Sequence, residues 1–236
     1  MILDQANAHT FGQALAFIAH HPHLLLTKAL EQVELSAAAL GIALAVALPL
    51  GIVLGHLHRG SGLAIGASIV GRALPSIFLI AVFLTILGLG FRNNMVALAV
   101  LALGPLLTNA YLGVEGVDRD AVDAARGMGL SGSQILRRIE LPLALPLLYI
   151  GIRVAAVTVV ATAPIAAYAG GGGLGDIIAN QATYRLSGVL GASLCVMVLS
   201  AGVWLLLLAL QRATTPKGVR AIKVPAPAGE PTKEGL

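Results

Sequence analysis

Charge is scarce in this chain. Asp, Glu, Lys and Arg make up 11% of its 236 residues, against about 25% in a soluble domain. With a mean hydropathy of +0.89, that shortage excludes a freely soluble protein and reads as an integral membrane chain. Cysteine is nearly missing. The single Cys195 excludes an internal disulfide and, in an apolar run, reads as a small core residue rather than a reactive thiol. No Cys/His cluster has the spacing of a metal site. There is no GxxxxGK[ST] phosphate loop, so the chain does not bind ATP in the P-loop manner. The long apolar stretches contain almost no acids and no internal repeat, which argues against a proton-coupled secondary transporter. A pI near 9.6 does not signal nucleic-acid binding, because the basic residues are dispersed and follow membrane sidedness.

What is present is a series of apolar runs. Residues 35–55 match the roughly 20 needed to cross hydrocarbon, with Pro49 as a candidate kink. Residues 56–60 are a short basic turn. Residues 62–90 are too long for one straight span and are interrupted by Arg72 and Pro75, so the second span is expected over about 73–90. Phe91, Arg92, Asn93 and Asn94 read as a turn, and residues 95–114 as the third span, with Pro105 and Asn109 inside. Residues 143–169 form a fourth span, with Arg153 near its middle, and residues 186–210 a fifth. The N-terminal segment, residues 1–30, lacks the basic region and cleavage site of a signal peptide. Its Phe11, Leu15, Ile18 and Ala19 could form one face of an interfacial helix. His20, His21 and His23 around Pro22 are read as a membrane-edge turn, with a metal site as the alternative. Residues 213–236, rich in Pro, Lys and Arg, are expected to be a disordered tail.

One polar stretch, residues 118–142, stands apart: DRDAVDAARGMGLSGSQILRRIELP. Ala121, Ala124 and Ala125 recur at helical spacing. Gly129 stands where a short helix would end in a left-handed residue, and Ser131 where a second would be capped, over residues 132–139. Leu141-Pro142 is expected to end that second helix, since Pro disfavours helical geometry in the residue before it. The stretch therefore reads as a helix–turn–helix knob on a membrane surface.

This stretch resembles the coupling loop of bacterial ABC-importer permeases, which reads E-A-A, three residues, G, nine residues, I-x-L-P. Here Asp123-Ala124-Ala125, Gly129 and Ile139-Glu140-Leu141-Pro142 match both spacings, with Asp in place of Glu. Further segments, among them Leu74-Pro75-Ser76, Gly151-Ile152-Arg153 and Gly172-Gly173-Leu174-Gly175, are similar to the osmoprotectant branch, which imports glycine betaine, carnitine or choline. Methionine permeases share the five-span plan and a similar glycine run, so an amino-acid importer is the alternative. The resemblance implies an all-α integral membrane protein of the five-span type I ABC-importer, methionine-permease-like class, with its transmembrane domain over residues 31–212. It implies ATPase coupling by Asp123, Ala124, Ala125, Arg126, Gly129, Ile139, Leu141 and Pro142. The chain itself would carry no cofactor, ATP and Mg being bound by the partner ATPase. Its partners would be two ATPase subunits, a second permease of the same or similar sequence, an external substrate-binding protein and membrane lipid.

Sidedness follows from the basic residues. With residues 118–142 inside, Arg59, Arg119, Arg126, Arg137, Arg138, Arg212, Lys217, Arg220, Lys223 and Lys233 are cytoplasmic, against Lys28, Arg92 and Arg185 outside. The N-terminus is then outside and the C-terminus inside a bacterial inner membrane. Arg153, about 16 Å along a helix from Pro142, is either a pathway residue or a buried polar tie, and Arg72 and Asn109 are candidates for the same roles. Arg72 also fits a snorkelling residue at the interface. Gly170, Gly171, Gly172, Gly173 and Gly175 must bend the chain, as an extracellular gate or as a plain flexible turn. Trp204 reads as packing rather than a substrate cage.

Overall fold

The computed structural model describes residues 2–62, 64, 66, 69 and 74–214. Arg72 and residues 215–236 lie outside the described residues. The regular elements among these are all helices: α1 (Ile2–His20), α2 (Pro22–His56), α3 (Ser76–Leu87), α4 (Phe91–Glu115), α5 (Arg119–Gly127), α6 (Gly132–Ile135), α7 (Leu141–Thr162), α8 (Gly175–Ala179) and α9 (Gln181–Thr214). A π-helical turn, Leu136–Glu140, joins α6 to α7, and a 3-10 helix, Ala163–Ala169, extends α7.

Small residues bring the helices together. On α2, Leu35, Ala39, Ala43, Ala47, Gly51 and Gly55 recur every fourth residue and are buried. With no side chains to separate them, the backbones approach closely, the small-residue packing typical of membrane helices. A Cβ on Gly51 would lie 2.6 Å from the Ala110 Cβ and 2.8 Å from the Leu107 carbonyl oxygen, and one on Gly55 2.8 Å from that of Tyr111. These contacts advance together along both helices, so α2 and α4 run parallel. α7 is antiparallel to α4: Gly151 sits against Pro105 and Asn109, and Gly113 against Ala144. Leu98, Ala102, Leu106, Ala155 and Val159 complete the common core. The bundle thus has a polar end, carrying residues 118–142, and a glycine end, carrying residues 170–175.

Among the described residues, four helical segments are long and apolar enough to cross a membrane: Pro22–His56, Phe91–Glu115, Gly132–Ala169 and Gln181–Thr214. The span expected over 73–90 is represented by α3, whose 12 residues reach about 18 Å and fall short of a 30 Å hydrocarbon layer.

Several boundaries differ from expectation. Phe91, Arg92, Asn93 and Asn94 are not a turn but the first turn of α4; the chain turns at Gly88 (φ +75) and Gly90 (φ +120) instead. Asn94 is buried and its amide donates to the Gly90 and Ala169 carbonyls, which holds the helix start in place. The helix expected to stop at Leu141-Pro142 continues, with helical φ −62 and ψ −47 at Leu141. The π-turn is the reason: its wider hydrogen-bonding pattern relieves the clash of the Pro142 ring with the preceding turn. The face of α1 that packs carries Ala14, Phe17 and Ile18, while Phe11 and Leu15 are exposed. Gly188 and Gly191 on α9 leave the groove that admits the Phe17 ring. Non-helical Arg185 (φ 56) divides α9, whose long part starts at Leu186.

Candidate coupling and gating sites

The polar knob is built by local rules. Asp118 caps α5, its Oδ1 accepting the Asp120 N–H at 3.0 Å. At the other end Gly129 takes φ +85. The Leu130 N–H then reaches the Ala125 carbonyl at 3.2 Å and the Gly129 N–H that of Arg126 at 3.0 Å, the two bonds of a Schellman motif. Leu130 also packs against the cluster that holds Ala125. Ser131 starts α6, where the Gln134 side chain accepts the Ser131 N–H at 2.8 Å. The knob has its own small core of Val117, Val122, Ala125 and Ile135, with Leu130, Ile139 and Leu143 against it.

This core divides the motif residues. Ala125 is buried, and Ile139, Leu141 and Pro142 are half-buried. Asp123, Ala124, Arg126 and Met128 face outward. The Arg126 guanidinium lies 3.3 Å from the Asp123 carboxylate, both well exposed. A Cβ on Gly127 or Gly129 would meet no atom within 4 Å, so this side of the knob is open. A cavity of about 360 Å³ opens beside Asp123 and Arg126, lined also by His58, Val114, Val117, Arg119, Val122 and Glu140. The buried Glu140 carboxylate lies 2.6 Å from His56 Nδ1, which ties the end of α2 to the π-turn. The motif leaves position 140 open to any residue, so spacing gave no hint of this contact.

At the glycine end the expected bend is present. Gly170, Gly172 and Gly173 have φ of +72, +74 and +83. A Cβ on Gly171 would lie 2.7 Å from the Ala166 Cβ and 2.8 Å from the Asn94 amide nitrogen, and one on Gly175 would overlap the Pro164 carbonyl. Three charged residues surround this loop. Lys28 Nζ lies 2.8 Å from Glu31 and 2.7 Å from Asp176, and the Gly173 N–H donates to Glu31 Oε2 at 2.9 Å. The 35 residues of α2 measure about 52 Å, so its start, including Lys28 and Glu31, extends beyond the apolar part that begins at Leu35. The hydrogen bond to Asp176, then that to Glu31, raises the Lys28 pKa. The bond from Lys28, then the Gly173 N–H, lowers that of Glu31. Sequence reading counted Lys28 only for sidedness and missed this cluster; the charge of Asp176, directly after the glycine run, was the available signal.

Arg153 stands over the Trp204 ring, 5.6 Å from its centroid, and so links α7 to α9. Among the described residues the ion pairs give Arg153 no acidic partner. Asn109 donates to the Pro105 carbonyl at 2.8 Å and packs against Gly151. His20 and His21 hydrogen-bond to the Ala16 and Phe17 carbonyls. No group of three metal-ligating side chains occurs among the described residues.

Residues 47–217 match the family model of the binding-protein-dependent transport system inner membrane component. The chain is 32% identical to the glycine betaine/carnitine/choline transport system permease protein OpuCB of Bacillus subtilis, over 90% of this chain and 98% of that protein. It is 35% identical to the carnitine transport permease protein OpuCB of Listeria monocytogenes, over 87% of this chain and 95% of the relative. It is 30% identical to the osmoprotectant import permease protein OsmW of Salmonella typhimurium, over 80% and 91%. Among solved structures, a chain of the inward-facing MetNI methionine ABC transporter aligns with a TM-score of 0.71 at 22% identity, over 82% of this chain and 97% of that one. An amino acid ABC transporter chain aligns with a TM-score of 0.65 at 18% identity, over 84% and 97%. At those identities the structures speak for the fold, and it is the methionine-permease type expected. The chain belongs to the binding-protein-dependent transport system inner membrane components, the permease subunits of ABC importers.

Proposed function

We propose that this permease carries osmoprotectants, namely glycine betaine, carnitine or choline, into the cell. The observation that carries the reading is identity of 32% and 35%, over nearly the whole chain, to permeases named for those ligands. The methionine alternative has only a shared fold behind it.

In this reading the knob is cytoplasmic and docks in a groove of a partner ATPase, which binds and hydrolyses the ATP. The outward Asp123, Ala124 and Arg126 and the open side at Gly127 and Gly129 form the docking surface. Ala125, Ile139, Leu141 and Pro142 transmit its movement to the bundle as a rigid body, since they join the knob to α7 without a flexible linker. Two ATPases and two permeases complete the complex, because one bundle is too small to enclose a pathway. The glycine end faces outward, where loop 170–175 gates the pathway beneath a substrate-binding protein. The excess of Arg and Lys at the polar end supports this orientation. Arg153 acts as a polar tie through Trp204, and Asn109 as a packing tie to α7.

The test is reconstitution of this chain with its ATPase and binding protein in liposomes. Glycine betaine, carnitine or choline should stimulate hydrolysis and be taken up with ATP, whereas methionine should do neither. Uptake of methionine with no response to the quaternary amines would overturn the substrate assignment and leave the family intact.

A further inference from the structure

The glycine loop is held from the side of α2 by one carboxylate. Glu31 Oε2 accepts the Gly173 N–H at 2.9 Å and the Lys28 ammonium at 2.8 Å, and Lys28 reaches on to Asp176 at 2.7 Å. The contact spans 142 residues of sequence, so it joins two separate parts of the bundle. Only glycine fits it. A Cβ on Gly172 would lie 2.9 Å from Glu31 Oε2, and one on Gly173 3.2 Å from the Gln32 Cβ. Both residues have positive φ, which turns the Gly173 N–H toward α2.

Buried amide side chains lie next to this contact. Gln32 and Asn94 are buried to 1% and 0% exposure. The Gln32 amide donates to the Val160 carbonyl at 3.0 Å, and the Asn94 amide to the Gly90 and Ala169 carbonyls. Among the described residues, the charged contact with Glu31 is therefore the one ionic hold on the loop, beside neutral hydrogen bonds from its other neighbours.

We propose that Glu31 is the positioning residue of the glycine loop, and that the chain Gly173–Glu31–Lys28–Asp176 is a latch that must release for the outer end of the pathway to open. The proposal rests on the reading of loop 170–175 as the gate. A latch on the closed outer end also restrains the ATPase through alternating access, because the two ends are linked. Weakening it shifts the population toward the outward-open form without any ligand-loaded binding protein.

The experiment uses the full complex in nanodiscs, with hydrolysis measured with and without ligand-loaded binding protein, and uptake measured in liposomes. Glu31→Gln and Lys28→Met should raise unstimulated hydrolysis roughly two- to fivefold, as expected for loss of a partly exposed charged contact. Ligand carried per ATP should fall. Lys28→Arg, which keeps the charge, should stay close to wild type. If Glu31→Gln fails to assemble, Asp176→Asn is read in the same assay. A second measurement separates the latch from the gate. In a Cys195→Ala background, Lys28→Cys with Asp176→Cys is bridged by a short cleavable bismaleimide. Bridging should stop uptake, and cleavage should restore it. Uptake that continues through the bridge would sink the gate reading. Reversible block by the bridge, together with unchanged unstimulated hydrolysis in the single variants, would sink the latch and leave the gate.

Discussion

Gly127 and Gly129 offer a controlled comparison, because they differ in backbone and not in surroundings. Neither would place a Cβ within 4 Å of another atom. Gly127 closes α5 with helical geometry, whereas Gly129 has φ +85. Alanine at 127 should therefore stabilise α5 by about 0.5–1 kcal/mol, the cost of glycine in a helix. Alanine at 129 should cost about 1–2 kcal/mol, the steric penalty of a left-handed residue with a Cβ. That penalty falls on the two Schellman bonds that orient α5 against α6, and not on the spans. Since 1.4 kcal/mol is a factor of ten, affinity of the nanodisc-held permease for its ATPase should drop about five- to thirtyfold for Gly129→Ala. Gly127→Ala should lose much less, and Gly129→Asn should be milder than Gly129→Ala, because Asn tolerates this geometry. Gly129→Asp adds charge at the open surface and should uncouple hydrolysis from uptake while membrane insertion stays intact. The assay is ATPase binding to the purified permease, followed by the ratio of uptake to hydrolysis. Equal losses for Gly127→Ala and Gly129→Ala would show that bulk at the interface matters and backbone geometry does not. Wild-type coupling in Gly129→Asp would remove the knob as the transmission element.

Other expectations follow from the same contacts. Gly51→Ala places a methyl 2.6 Å from the Ala110 Cβ and should cost about 1–3 kcal/mol of thermal stability in detergent, whereas Gly202→Ala, with nothing nearby, should cost nothing. Replacing His56 by Ala leaves the Glu140 carboxylate buried without its partner and should cost about 1–3 kcal/mol; His56→Leu with Glu140→Leu together should cost less than the single change. A double-mutant cycle on Arg153→Ala and Trp204→Ala should give a coupling near 0.5–2 kcal/mol, and a value of zero would dismiss the ring contact. Leu89, at the glycine end and 74% exposed, is a site for external labelling. A cysteine there, in a Cys195→Ala background, should react from outside intact cells, and reaction only after permeabilisation would reverse the proposed orientation.

Sequence alone determined the membrane character and the knob. Both depend on local or compositional rules: the charge shortage excludes a soluble fold, and capping residues with a left-handed glycine close a short helix whatever surrounds them. The bend at the glycine run was legible for the same reason. Even the buried stripe from Leu35 to Gly55 was present as a four-residue repeat of small residues, although hydropathy, which scores length and not side-chain size, passed over it. Tertiary structure decided what depends on a distant neighbour. Which alanine of Asp123-Ala124-Ala125 turns inward was set by the packing of α5 on α6. The helix passes Pro142 because a π-turn absorbs the ring. Phe17 packs and Phe11 does not, since Gly188 and Gly191 open a groove for one ring only. Lys28 and Glu31 meet Asp176, and His56 meets Glu140, across separations no periodicity encodes. A charged side chain in a membrane protein shows in sequence only its cost; its partner is chosen by the folding of the chain around it.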